Sequence, residues 1–347
     1  MTVKESGQAL VLMINANKLK TIKIFLKKNC IENYKIKEIQ GDASFRKYFR
    51  IYYKNNSYIL AFAEKEKKSN ILNSVLINKF LITKGINSPR VIDYNYKNGL
   101  ALLEDFGDKT YLQLINKSKN KFKIYKSLIR YLVKLQSIKV KQNIFRFKKY
   151  NFKILKKEID LFFIWYLPYV LKIRTNPKIL KLRRLLLSIL KDNFVKNSYF
   201  VHRDFHISNL MAYRSGSRNK IGVIDSQDAL IGSKAYDVVS IIDDVRIKTD
   251  FNLKKKLFNF YLSLATREKN FNIKQFKKEF SILSVQRAMK IIGIFSRLFK
   301  RDKKNGYLKL IPYTWTILNK RLEDPMFNEV RVIINKEIKI RIKNVNR

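Results

Sequence analysis

The apolar residues of this chain change their spacing near Asp108, and few folds accommodate that switch. Upstream, short runs rich in Ile, Tyr and Phe predict strands at Ile36–Gln40, Arg46–Tyr53 and Ser57–Ala63. Val91–Tyr96 and Leu100–Glu104 flank Asn98-Gly99, a pair that favours a hairpin turn because both residues tolerate positive φ. Two helices are expected among these strands. Leu19, Ile22 and Leu26 place one over Ala16–Lys28, and Leu72, Val75, Leu76 and Phe80 mark another that Gly85 closes. Downstream, Phe122, Tyr125, Ile129, Leu132 and Leu135 recur at helical spacing, and Ile154–Leu171 and Ile179–Phe194 read as two more helices. Short strands follow at Tyr199–Val201, Leu210–Tyr213 and Ile221–Ile224, and the remainder is mainly helical. A small antiparallel sheet followed by a larger helical part predicts an α+β bilobal fold, with an N-lobe over residues 16–105 and a C-lobe over 106–347. Residues 1–15 are expected to be an extension outside both lobes, and Met13 is an alternative start.

Composition narrows the function classes. A chain of 347 residues with 46% apolar content buries a substantial core. Its single cysteine, Cys30, excludes an internal disulfide and a multi-cysteine zinc site. The longest apolar run, near Leu161–Leu171, is interrupted by Pro168 and is too short to cross a bilayer. Ala9–Ile14 follows Lys4 but lacks a small-residue cleavage site, so cytoplasmic residence is expected. The net charge is +47, yet the lysines spread over the whole chain instead of forming one stripe. No RNA-recognition aromatic signature accompanies them, so nucleic acid is not the expected partner. The charge still favours anionic ligands, ATP among them.

The chemistry concentrates in Val201-His202-Arg203-Asp204-Phe205-His206-Ile207-Ser208-Asn209-Leu210, followed by Gly222-Val223-Ile224-Asp225. Both histidines of the chain fall in the first stretch. Phosphoryl transfer needs a carboxylate to accept the proton of an incoming hydroxyl, and Asp204 is the candidate. Asn209, five residues on, offers an amide oxygen to magnesium without adding charge, and Asp225 offers a second oxygen ligand from a strand end. A lone His-x-Asp is commonly a surface loop; the combination with Asn, a hairpin and a terminal Ile-Asp is far rarer. His202 is expected to be a buried supporting residue, and a place near the substrate is an alternative for His206.

His202–Leu210 and Ile224–Ala229 resemble the catalytic and metal motifs of the aminoglycoside phosphotransferase and choline kinase superfamily. Gly41-Asp42-Ala43-Ser44-Phe45-Arg46-Lys47-Tyr48-Phe49-Arg50, Leu103-Glu104-Asp105-Phe106-Gly107-Asp108 and Ala235-Tyr236-Asp237-Val238-Val239-Ser240 resemble a bacterial branch of it. That branch contains the anomeric N-acetylmuramate/N-acetylglucosamine kinases of cell-wall recycling. The resemblance implies a bilobal protein-kinase-like fold, ATP and magnesium as cofactors, and a small sugar acceptor phosphorylated at its anomeric hydroxyl. It also implies that Gly41, Asp42, Ala43, Ser44, Phe45 and Arg46 cover the phosphates. The backbone at Glu104, Asp105 and Phe106 would hold the adenine, their carboxylates not needing to touch the nucleotide. Asp237 would steady the catalytic loop through backbone hydrogen bonds; an ordinary helix N-cap is a further reading, compatible with that role.

Two departures stand out. The strand Tyr58–Phe62 lacks the phosphate-binding lysine usual in kinase-like enzymes, and Lys65 lies just beyond it in a lysine-rich segment. Arg46 is either a source of charge or a solvated strand residue. Ser226 stands where the family usually has an aromatic, which is expected to alter packing, not metal binding. The interval from Asp225 to Asp237 is too short for an activation segment, which argues against a protein kinase. The region after Asp244 is basic, including Arg246, Arg287, Lys290 and Arg297, which disfavours a cationic antibiotic and suits a neutral or anionic sugar. Any one of these residues is more often simply solvated, although Gln286 and Arg287 are candidates to face the acceptor. The rivals are a kinase of choline, ethanolamine, homoserine or thiamine, and a catalytically inactive basic protein that binds RNA or anionic lipid. No P-loop element is present.

Overall fold

A computed structural model describes residues 16–39, 46–63, 68–140, 147–193, 199–339 and 341. The expected extension 1–15, the phosphate-loop candidates Gly41 to Phe45 and Lys65 lie outside the described residues. The chain packs as two units, one of residues up to 114 with 208–229, the other of 115–207 with 230 to the end.

In the first unit, strands β1 (Lys35–Ile39), β2 (Lys47–Tyr53), β3 (Asn56–Phe62), β4 (Val91–Asn95) and β5 (Leu100–Glu104) form one antiparallel sheet in the order β1-β2-β3-β5-β4. Alternation along the strands decides which helix each face meets. Leu60, Phe62, Leu100 and Leu102 pack with Ile22, Phe25 and Leu26 of the helix Ala16–Lys28. Ala61, Ala63, Ala101 and Leu103 pack with Ile71 and Val75 of the helix Lys68–Thr83, the alanines leaving room for it. Leu76 does not join this core; it is 36% exposed. The hairpin turn spans residues 96–99, and of the Asn98-Gly99 pair only Gly99, at φ +66, adopts positive φ.

A further hairpin of this unit comes from much later in the chain: β7 (Leu210–Ser215) pairs with β8 (Arg218–Val223). Phe106 lies against it, stacked on Tyr213 with ring centroids 4.1 Å apart. A Cβ on Gly222 would come within 2.5 Å of the Phe106 ring, so glycine is needed there for space. Gly222→Ala is expected to destabilise the protein by about 1–3 kcal/mol through overpacking, measured by urea denaturation.

The second unit is mainly helical, with β6 (Tyr199–Val201) pairing antiparallel to β9 (Leu230–Gly232). Its principal helices are Lys121–Gln136, Phe152–Leu161, Pro177–Asp192, Ala235–Ile242, Phe251–Ala265, Ile273–Asp302 and Ile311–Arg321. The helix expected over Ile154–Leu171 is not uniform. It is α-helical to Leu161, widens into a π-turn over Phe162–Tyr166 and resumes through Tyr169. Pro168 has no N–H, and its ring would crowd the carbonyl four residues back; the i to i+5 bond from Leu167 N–H to Phe162 O absorbs that. Gly293 of the helix Ile273–Asp302 crosses at this widened turn, where a Cβ would fall 2.4 Å from the Leu161 carbonyl carbon. Among the described residues no helix is long and apolar enough to cross a membrane.

Candidate active site

The metal-ligand candidates belong to the first unit. Leu210 and Val223 pair at the open end of the β7–β8 hairpin. Immediately beyond, Ile224 N–H donates to the Asn209 carbonyl at 3.0 Å, which ties the Asn209 and Asp225 segments together. Asp225 has φ +65, a left-handed conformation that non-glycine residues rarely adopt. Arg46 donates to Asp225 Oδ1 at 2.9 Å and to Gln227 Oε1 at 2.9 Å. Its guanidinium is buried, which corrects the solvated-strand reading: Arg46 just precedes β2 and is ion-paired to the candidate metal ligand. The Asp225 side chain remains 36% exposed. An amide oxygen and a carboxylate, without sulfur or imidazole, form the hard-oxygen donor set that suits magnesium, so these residues fit the ion.

Ser226 does more than change packing. Its hydroxyl donates to Asn78 Oδ1 at 2.6 Å, and Ser88 donates to the same oxygen at 2.9 Å. Asn78 lies on the helix Lys68–Thr83, so a buried polar network anchors the residue after Asp225 to that helix. The strand β3 carries no lysine, as its sequence requires. At the segment expected to meet the adenine, the carboxylates already have protein partners. Glu104 accepts from Arg90 N and Nε at 3.1 and 3.2 Å. Asp105 accepts from Gly107 N at 2.8 Å and from Arg50, which also binds Asp108 at 2.6 Å. Arg50 on β2 thereby fixes the backbone of residues 105–108.

In the second unit, Asp204 follows β6 on a loop held at several points. Asp237 accepts from His202 N–H at 2.7 Å and from Arg203 N–H at 3.0 Å. Burial pushes its carboxyl up to about 7, while those two N–H groups oppose the rise. Asp237 is in the first turn of Ala235–Ile242, but Lys234 occupies the cap, so the N-cap reading is replaced by loop support. Asp244 accepts from Ile207 N–H at 3.0 Å, and His206 N–H donates to the Asp204 carbonyl at 2.9 Å. The backbone is therefore restrained before, at and after Asp204. His202 is fully buried, its ring edge-on to Phe205. His206 is buried too; burial first, then Arg246 and Arg287, hold its imidazole well below the usual pKa.

One cluster escaped sequence reasoning. Glu158 accepts from the Arg203 guanidinium, the Tyr150 hydroxyl, Gln286 Nε2 at 2.8 Å and Lys290 Nζ, which pairs with it at 2.9 Å. Lys290 also donates to the Tyr236 hydroxyl at 2.9 Å. Arg287 is buried and the Lys290 side chain is only 12% exposed, so the solvated reading of these basic residues is corrected for both. A signal was present: Leu155, Glu158, Ile159 and Phe162 share one helical stripe, and a carboxylate in an apolar stripe requires partners.

Comparison with known proteins gives concordant matches. A model described as the phosphotransferase enzyme family matches residues 35–269. The N-acetylmuramate/N-acetylglucosamine kinase of Pseudomonas aeruginosa is 29% identical over 276 residues, covering 78% of this chain and 79% of that protein. Among solved structures, Plasmodium vivax ethanolamine kinase aligns with a TM-score of 0.63 at 14% identity, covering 95% of this chain and 96% of its own. The ADP-bound aminoglycoside phosphotransferase APH(2'')-Ib aligns with a TM-score of 0.59 at 15% identity, covering 90% and 99%. These structural likenesses bear on the fold, which is the protein-kinase-like α+β class expected from the sequence.

Proposed function

The chain belongs to the phosphotransferase enzyme family and is a small-molecule phosphotransferase, so we propose that it moves the γ-phosphoryl group of ATP to the anomeric hydroxyl of an amino sugar. The acceptors that fit are N-acetylmuramate and N-acetylglucosamine, in a cytoplasmic step of cell-wall recycling. The observation that carries this reading is the bond from Ile224 N–H to the Asn209 carbonyl, which draws the proposed oxygen ligands Asn209 and Asp225 together in a chain whose similar curated protein is named for those sugars.

In this mechanism Asp204 orients the acceptor hydroxyl and takes its proton as the oxygen attacks the γ-phosphorus. Asn209 and Asp225 would hold magnesium, which would supply charge neutralisation to the phosphate oxygens. Asp237 positions the loop through two backbone N–H groups. In the same proposal, Gly41 to Phe45 are the residues that would cover the phosphates, and the backbone at Glu104 to Phe106 is the part that would receive the adenine. Arg46 replaces the cation missing from β3: it is buried, adjoins the phosphate loop in sequence and pairs with the metal aspartate. Most of the rate enhancement then comes from positioning and preorganised charge, with no covalent enzyme intermediate.

Arg46→Met is expected to lower kcat/KM for magnesium-ATP by about 10- to 150-fold, the range for losing a hydrogen bond to a charged group. Steady-state kinetics at saturating sugar measures it, and a variant with parental kcat/KM would remove Arg46 from the site. The reading as a whole is tested by incubating the protein with ATP, magnesium and each sugar. Phosphorus NMR should show a new sugar 1-phosphate; a phosphate on neither sugar would refute the proposed acceptor.

A further inference from the structure

Arg287 precedes Lys290 by one turn on the helix Ile273–Asp302, and the two cations meet different surroundings. Lys290 has Glu158 as counter-charge. Other cations of the second unit are matched as well: buried Lys254 and half-buried Arg321 share Asp243, and half-buried Arg203 shares Glu158. Arg287 is 4% exposed, yet among the described residues no carboxylate or carbonyl pairs with its guanidinium. Burying a cation without a counter-charge is strongly unfavourable. A chain with 74 basic and 27 acidic residues gains nothing in solubility from one more buried arginine.

The neighbours of Arg287 connect it to the catalytic loop of the same unit. Gln286, the residue before it on the helix, donates to Glu158, which also holds the Arg203 guanidinium next to Asp204; in keeping with that placement, the Arg287 charge acts on His206 and Asp237. Arg246 acts on the same histidine from another segment. Arg246 lies 3.4 Å from Asp244, which holds the backbone of Ile207. Of these two guanidinium groups, Arg246 forms an ion pair with a carboxylate, whereas among the described residues none pairs with Arg287. Asp237 does not serve as that partner for Arg287, since its oxygens accept from His202 and Arg203 N–H.

We propose that Arg287, assisted by Arg246, binds a carboxylate of the acceptor and selects anionic sugars over neutral ones. A planar guanidinium matches a carboxylate with two parallel N–H···O bonds, which a lysine at that position would not reproduce. The inference rests on the sugar-kinase reading above: N-acetylmuramate carries a lactyl carboxylate and N-acetylglucosamine does not. Arg287 is then a specificity-determining residue, while Lys290, committed to Glu158, is not.

The test compares the full chain with Arg287→Met and Arg287→Lys. The first removes the charge at similar length, and the second keeps it without the planar fork. The ratio of kcat/KM for N-acetylmuramate to that for N-acetylglucosamine is expected to fall by about 10- to 150-fold in Arg287→Met, the range for a charged hydrogen-bonding group. Arg287→Lys should fall between that variant and the parent. An unchanged ratio in both variants overturns the proposal, because a purely structural arginine would lower activity on the two sugars alike. Calorimetric binding of N-acetylmuramate gives a readout independent of turnover. If neither sugar is phosphorylated, the function reading fails, but tighter binding of N-acetylmuramate to parent than to either folded variant still supports the carboxylate site. Equal binding by all three sinks it.

Discussion

Asp204→Asn is expected to lower turnover by about 10²–10⁴-fold, the range ascribed to a positioned general base. The amide is nearly isosteric with the carboxylate and still accepts a hydrogen bond, so the acceptor hydroxyl can be oriented as before. It has no affinity for the proton that must leave that hydroxyl as the O–P bond forms. The loop itself should survive the change. Its N–H groups at His202, Arg203 and Ile207 are held by Asp237 and Asp244, which the substitution does not touch. The proposed magnesium ligands are other residues, Asn209 and Asp225, so nucleotide affinity should stay near the parental value. Single-turnover kinetics combined with calorimetric titration of ATP and magnesium separates the two effects. Parental turnover in the variant would exclude Asp204 as the base, and a parallel loss of nucleotide binding would reassign it to the metal site.

The parts of this protein that were legible in the sequence are those in which local spacing determines burial. The helix Ala16–Lys28 was readable because Ile22 and Leu26 repeat one turn apart and both are fully buried. The Asn98-Gly99 hairpin was readable because the turn needs a residue that accepts φ near +66. Asp204, Asn209 and Asp225 were readable as types at a spacing. What failed was whatever depends on a distant partner. Nothing local says that Arg46 would meet a carboxylate 179 positions later, or that Ser226 would bond Asn78 148 positions earlier. Leu76 satisfied the apolar stripe as well as Val75 does, and only tertiary packing decided that Val75 would be buried and Leu76 exposed. The hairpin β7–β8 groups with the N-terminal residues because of Phe106 and Tyr213, a contact with no periodicity to announce it.

Glu158→Gln is expected to destabilise the protein by about 3–5 kcal/mol at neutral pH, the range for removing one partner from a buried ion pair. Gln keeps the shape and can still accept from Tyr150, but it leaves Arg203 and Lys290 without their counter-charge. The pH dependence identifies the cause. Burial tends to raise the Glu158 carboxyl, but Lys290 and Arg203 outweigh it and hold the group down at about 2, against 4.5 in the unfolded chain. A depressed carboxyl contributes stability that is fully present above the unfolded value and is lost as pH falls from there toward the folded one. The difference corresponds to about 3 kcal/mol. Urea unfolding of the parent should therefore weaken between pH 4.5 and 2 by more than the variant does. Because Arg203 immediately precedes Asp204 and sits at φ +72, freeing its guanidinium should also loosen the loop and reduce turnover in the folded fraction. A variant within about 1 kcal/mol of the parent at neutral pH, with the same acid limb, would show that Glu158 is not the hub of this buried network.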